Sequence, residues 1–402
     1  MRYKICLHTT HQISQNYIGG TERFLIKMAK ELQLLGWTPF IVCSSTTEKT
    51  YVEGIEVIGR LPKQFRSNAL NYKQLNYNFL RNEVLSSEDT PYEISKKLSF
   101  YVMMQLEGIQ AEIFHLNSFL SVFSLDDAIT NVIVTNHENN LEMDATLGQG
   151  FFENYSQLIR ERKLLFKNIK GLYTPSKFYA DYFSKKLGMR VDPIKLGVHI
   201  SDFHPIPNKQ KPIDEQLVDI ENHFIILLPA RLNTIQKGHD IALKSCKKLK
   251  ETGIKFKLVI TGLGKSSEND IANFRKEIRN YEVEDTVILS SYSDIMNAFR
   301  SCDVVISPER YCSYGLAISE SLSLGINTVL SDIPTYREIA SGYQHAYFFE
   351  NENHDDLTDR LLMLYQKRNT TNQLDTIRFR IENDIRDCAK SYSRVYARLL
   401  SK

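Results

Sequence analysis

Ser307-Pro308-Glu309-Arg310-Tyr311-Cys312-Ser313-Tyr314-Gly315-Leu316-Ala317-Ile318-Ser319-Glu320 runs from an apolar strand end through a Pro- and aromatic-rich loop into a helix that opens at Gly315. Strand, loop and helix in this order make one unit of a parallel βαβ sheet, and such sheets bind ligands beyond the carboxyl ends of their strands. Within the helix, Ile318, Leu322 and Gly325 share the buried face, which turns Glu320 the other way, toward the loop and a cleft. A carboxylate so placed accepts both hydroxyls of a ribose. It reads equally as a solvated helix glutamate.

The same alternation extends outward in both directions. Strands are expected at Tyr3–His8, Pro39–Cys43, Ile55–Gly59, Glu112–Leu116, Val132–Thr135, Gly171–Thr174 and Pro193–Leu196. A second series falls at Phe224–Leu228, Lys257–Thr261, Val287–Leu289, Val304–Ser307, Thr328–Ser331 and Ala346–Phe349. Amphipathic helices fill the gaps, among them Glu22–Leu35, Asp240–Thr252, Asn269–Asn280 and Leu316–Leu324. A polar, Pro-containing stretch from Asp202 to Glu215 separates the series. The expected fold is α/β, with two Rossmann-like domains facing across a cleft. Residues 1–200 form the N-terminal domain, 201–215 the linker, 216–375 the C-terminal domain and 376–402 a charged helix that crosses back to the N-terminal domain.

Composition narrows the function. The chain has 402 residues, 42% hydrophobic and 24% charged, as in an ordinary globular protein of two domains. A formal net charge of +2 gives no global attraction to nucleic acid or anionic lipid. Cys6, Cys43, Cys246, Cys302, Cys312 and Cys388 are scattered, without a C-x-x-C pair or a His cluster at metal spacing. They read as reduced thiols in a cytosolic protein. The first residues lack a signal-peptide core, and no apolar run approaches the ~20 residues of a membrane span. The expectation is a cytoplasmic protein, at most peripheral to a membrane.

Further chemistry-bearing residues also sit at strand ends. Gly19-Gly20 precede a helix and let backbone amides approach an anion; a flexible turn with Thr21 as N-cap is the alternative. His137 follows the strand ending at Thr135, where it reaches a substrate hydroxyl or serves as a structural loop residue. Arg231 and Lys237 together suit a diphosphate, the one as a planar fork and the other as a point charge, unless both are solvated loop cations. Gly262-Leu263-Gly264 is no dinucleotide fingerprint, because Ser267 stands where the third glycine belongs. A phosphate-binding P-loop signature is absent as well.

Gly-Gly near the start, Thr-x-His, Arg-x5-Lys-Gly, Gly-x-Gly and the G-L-x-x-x-E helix, in this order, resemble the retaining glycosyltransferases of family 4, which have the GT-B fold. Ser331-Asp332-Ile333-Pro334-Thr335-Tyr336-Arg337-Glu338-Ile339 resembles the family segment after its hallmark helix. The resemblance implies transfer of a sugar from a nucleotide-sugar donor, with retention and without metal or other cofactor, in surface polysaccharide or glycoconjugate synthesis. It gives Arg231 and Lys237 the donor diphosphate, with Gly19 and Gly20 nearby. It gives Glu320 the ribose, and Leu316 and Ala317, just after Gly315, helix-start amides for phosphate. His137 meets the donor sugar, Gly262 borders the donor, and Ser291 and Tyr292 lie against the base. Three departures stand out: the first glutamate of the family's E-x7-E motif falls on Cys312, the hinge signature N-G-V-D reads Leu196-Gly197-Val198-His199, and the proline after the hallmark helix is Asn327. The missing glutamate leaves open a sugar that lacks that contact, a carboxylate supplied by Glu309, or a non-catalytic subunit that binds sugar or a partner. No nucleic-acid partner is expected, and the acceptor is unnamed: a glycan, a lipid-linked sugar or a protein. Between Phe151 and Arg190, Arg160, Arg162, Lys163, Lys167, Lys170, Lys177, Lys185, Lys186 and Arg190 offer contact with anionic lipid or a polyanionic glycan, or else a solvated helix face.

Overall fold

A computed structural model describes residues 3–14, 19–72, 75, 77–118, 129–161, 169–204, 222–263, 266, 268–290, 295–367 and 373–401. The chain forms two compact units, Met1–Gly197 with Ile385–Lys402, and Val198–Asp384.

The first unit holds β1 (Lys4–His8), β2 (Thr38–Cys43), β3 (Lys49–Val52), β4 (Ile55–Gly59), β5 (Ile113–Leu116), β6 (Val132–Thr135), β7 (Ile169–Thr174) and β8 (Asp192–Pro193). Their order is β3-β4-β2-β1-β5-β6-β7-β8, parallel except where β3 runs against β4. Sequence reading misses β3, a polar edge strand joined to β4 through Glu53-Gly54. Both turn residues have positive φ (50° and 82°), the signature of a tight hairpin turn that the pair Glu-Gly only weakly advertises. The expected strand Pro193–Leu196 is reduced to β8, because only Asp192 and Pro193 pair with β7. Helices pack an apolar core against the sheet, including Phe79, Tyr101, Val134, Tyr155 and Phe183.

The second unit holds β9 (Phe224–Pro229), β10 (Phe256–Thr261), β11 (Val287–Leu289), β12 (Val304–Ser307), β13 (Asn327–Ser331) and β14 (Ala346–Phe349). All pairs are parallel, in the order β11-β10-β9-β12-β13-β14. Counted within the unit this is 3-2-1-4-5-6, the doubly wound order, so the chain reverses its winding between β9 and β12. The loops after those two strands lie at the sheet's carboxyl edge, where open sheets of this order bind ligands. In the first unit, β1 and β5 flank the corresponding reversal.

The expected single helix over 376–402 is two helices, Gln373–Glu382 and Ile385–Leu400. The break falls at Asn383-Asp384, whose short polar side chains compete with the helix ladder. There the Val198 amide donates to the Asn383 carbonyl at 2.7 Å, and Val198 bridges Asp384. The earlier helix belongs to the second unit, where Arg380 donates to the carbonyls of Ile200 (2.9 Å) and Phe203. The later helix belongs to the first unit. Tyr396 and Tyr392 carry their hydroxyls into its core: His115 of β5 bonds Tyr396 at 2.7 Å through Nδ1 and Thr135 at 2.7 Å through Nε2, and Thr135 bonds Tyr392 at 2.7 Å. Every polar atom in this buried set has a partner, so the helix is fixed by geometry as well as by apolar area. Of the expected linker, residues 205–215 lie outside the described residues.

Candidate functional site

The loop after β9 begins at Arg231 and closes with a short helix, Thr234–Lys237, capped by Asn233, whose Oδ1 accepts from the Gln236 amide at 3.1 Å. Arg231 is exposed, and its Nη2 donates to Gln236 Oε1 at 3.4 Å. Lys237 is largely buried and donates from Nζ to Glu309 Oε1 at 2.8 Å. Burial disfavours its ammonium form, but the nearby Glu309 and Cys312 outweigh that and hold its pKa above the ordinary lysine value. The two cations thus differ. Arg231 is exposed, while Lys237 is largely buried on Glu309.

Gly238 makes this pairing possible. It has φ 65°, and a Cβ there would sit 1.9 Å from the Pro308 carbonyl oxygen. Only glycine allows the lysine loop so close to the loop after β12. That second loop is clamped from the other side by Arg310. The Arg310 amide donates to the Gln236 carbonyl at 2.9 Å, and its guanidinium forks onto Asp240 (3.0 and 2.8 Å) and reaches Glu352 at 2.6 Å. Cys312 is buried beside the Tyr336 hydroxyl, which shares a 2.7 Å hydrogen bond with Ser307. Gly315 caps the next helix, Leu316–Ser323, at φ 107°, with its Cα packed on the Tyr336 ring.

Leu316 and Ala317 occupy the first turn of that helix and are partly exposed. Glu320 is 4% exposed, as buried as Ile318 and Leu322 beside it. Residues 318–324 are buried all round, so Glu320 is not the solvated helix glutamate that the sequence left as an alternative. Gly262 ends β10 at φ 90°, its Cα against the Ala230–Arg231 backbone. Ser291 and Tyr292, expected at the base, and Gly264 lie outside the described residues.

In the first unit Gly19, not Thr21, is the N-cap of the helix Gly20–Leu34; it is extended (φ −80°), with no side-chain cap bond, and Gly20 is exposed. The first turn carries Glu22, which is buried, with Oε1 2.7 Å from His11 Nδ1. His137 lies beyond β6 with its ring edge-on to Phe24. Asn117 Nδ2 donates to the carbonyls of His8 and His115 at 3.2 Å each, which leaves Oδ1 to accept from His137 Nε2 at 2.9 Å. Burial, partly offset by the Glu22 charge, lowers the His137 pKa to about 4, so the ring is neutral at pH 7, with its proton on Nε2. His11, Glu22 and Asn117 are absent from the expected set. The acid three residues past Gly19 was the available signal for Glu22, and none pointed to Asn117.

The expected basic run is divided by its own acids. Arg160 and Lys186 pair with Glu153, Lys177 with Asp181 and Arg190 with Asp192; Arg162, Lys163 and Lys167 lie outside the described residues. Among the described residues, no helix is long and apolar enough to cross a membrane, and no three His, Cys, Asp or Glu side chains are placed to hold a metal ion.

Two α/β units with parallel sheets, each wound about a reversal next to its first strand, are the GT-B architecture. Residues 209–377, which span the Arg231–Lys237 and Pro308–Glu320 loops, match the family described as Glycosyl transferases group 1. The mannosylfructose-phosphate synthase of Agrobacterium fabrum is 21% identical over 375 residues, covering 84% of this chain and 77% of that protein. Sucrose-phosphate synthase from Thermosynechococcus elongatus superposes with a TM-score of 0.75 over the whole of both chains at 13% identity. HepE from Anabaena, solved in complex with UDP-glucose, does so with a TM-score of 0.67 at 13% identity, over 98% of this chain and 100% of that one.

Proposed function

We propose that this chain is a retaining glycosyltransferase of family 4 that moves a hexosyl group from a nucleoside-diphosphate sugar to a glycan, lipid-linked or protein acceptor. The observation that carries the reading is the pair Arg231 and Lys237 at the winding reversal of the second sheet, inside the group 1 domain. As the sugar leaves, negative charge develops on the diphosphate, and the two cations, of which Lys237 is already held in place by Glu309, stabilise it. The amides of Leu316 and Ala317 add the positive end of a helix whose side chains leave that end uncapped. In this reading no metal is needed for the leaving group. Glu320 accepts from the ribose hydroxyls.

Glu320 supplies a test that needs no acceptor. Glu320→Gln keeps the shape and loses the ionised acceptor, so wild type should favour the ribonucleoside diphosphate over its 2′-deoxy form by about tenfold and the variant should not. The comparison is a calorimetric titration of both nucleotides into both proteins. Equal treatment of the two nucleotides by wild type removes Glu320 from the ribose.

A further inference from the structure

Glu309 is where this chain departs most from the expected site, and the following rests on the glycosyltransferase reading above. Its side chain is 9% exposed, with Oε1 on Lys237 Nζ at 2.8 Å. Its other oxygen, Oε2, is buried and has no hydrogen-bond partner among the described residues. An acceptor left so in a buried site is costly unless a ligand supplies the donor. Nor is its position an accident of a loose loop. On one side the Pro308 carbonyl rests on Gly238, and on the other Arg310 is tied to Asp240, Glu352 and the carbonyls of Thr234 and Ile235. Residue 309 is therefore held in place at the β9–β12 reversal, beside Lys237, with one buried acceptor oxygen that has no partner among the described residues.

We propose that Glu309 binds a hydroxyl of the donor sugar through Oε2 while Oε1 holds Lys237, so that this chain carries its sugar-reading carboxylate at position 309 and not at position 312. The Cys312 thiol lies buried at the Tyr336 hydroxyl and is a poor acceptor, whereas Glu309 is a carboxylate with one oxygen already on Lys237. A lysine ammonium has three donors, so Lys237 can hold Glu309 and a phosphate oxygen at once. One group thus joins diphosphate binding to sugar recognition, and a sugar lacking the matched hydroxyl is rejected because Oε2 stays unpaired.

The experiment compares wild type, Glu309→Gln and Glu309→Asp by titration with UDP and UDP-glucose, then GDP and GDP-mannose, and by release of nucleoside diphosphate from the sugar nucleotide. Melting of the ligand-free variants confirms that each is folded. For Glu309→Gln the inference expects affinity for the bare diphosphate within about threefold of wild type or tighter, since Lys237 has lost its competitor. The additional affinity contributed by the sugar should fall about tenfold and donor hydrolysis about 10- to 100-fold, with partial recovery in Glu309→Asp. Among deoxy-sugar donors, one should be poor with wild type and no poorer with Glu309→Gln. An unchanged sugar increment and unchanged hydrolysis in Glu309→Gln overturn the inference. So does equal loss of the bare diphosphate and its sugar form, because Glu309 then only positions Lys237. Failure of wild type to bind any nucleotide is a separate result, seen before a variant is made, and it removes the underlying reading as well.

Discussion

Lys237→Ala should lower affinity for the nucleoside diphosphate by about 10- to 100-fold and should also lower the melting temperature of the ligand-free protein. Arg231→Ala should lower the affinity by a similar factor and leave the melting temperature nearly unchanged. Each variant loses a charge-assisted contact to phosphate worth about 1.5–3 kcal/mol. They differ because Lys237 is largely buried against Glu309 while Arg231 is exposed. Removing one partner of a buried pair leaves the other charged and uncompensated, at a cost of about 3–5 kcal/mol. Titration with diphosphate beside a denaturation curve reads both effects. Unchanged affinity in both variants removes the diphosphate site, and equal stability of the two removes the distinction between them.

The second large effect lies far from that site. Tyr396→Ala should destabilise the first unit by about 3–5 kcal/mol, the range of a large buried aromatic reduced to alanine. Tyr396→Phe should cost about 1–3 kcal/mol, since the ring stays and His115 Nδ1 loses its buried partner. Tyr396 is fully buried, and Trp37 packs edge-on to it with ring centroids 5.6 Å apart. A chemical denaturation midpoint followed through Trp37, which lies in this unit, reports the transition. If Tyr396→Ala unfolds at the wild-type midpoint, the last helix is not integral to the first unit.

What the sequence shows and hides follows from the forces involved. Buried parallel strands read as short apolar runs, so Phe224–Leu228 and Val304–Ser307 are visible within a residue or so. The polar edge strand Lys49–Val52 has no such run and depends on a turn that residue type barely signals. The C-terminal stretch keeps helical periodicity across Asn383-Asp384, and only pairing with Val198 shows that two helices meet different units. The candidates Arg231, Lys237 and Gly315 stand out in the sequence by their position after strands, and Glu320 by its place in the helix that follows. The partnership of Lys237 with Glu309 is not, because it joins loops 72 residues apart and depends on the backbone approach at Gly238. The contact of His11 with Glu22 was hidden for the same reason, since it joins a residue after β1 to the first turn of a helix.

The most direct test of the central claim is release of nucleoside diphosphate from a panel of UDP-, GDP- and ADP-sugars by the purified chain in excess EDTA. The account predicts slow hydrolysis of one donor class, undiminished by the chelator and lost when Arg231 or Lys237 is replaced by Ala, because those cations meet the leaving charge. Hydrolysis that vanishes in EDTA and returns with Mg²⁺ or Mn²⁺ would contradict the cation-based mechanism. Binding without hydrolysis or transfer across the whole panel would contradict the enzyme itself and leave a sugar-nucleotide-binding subunit.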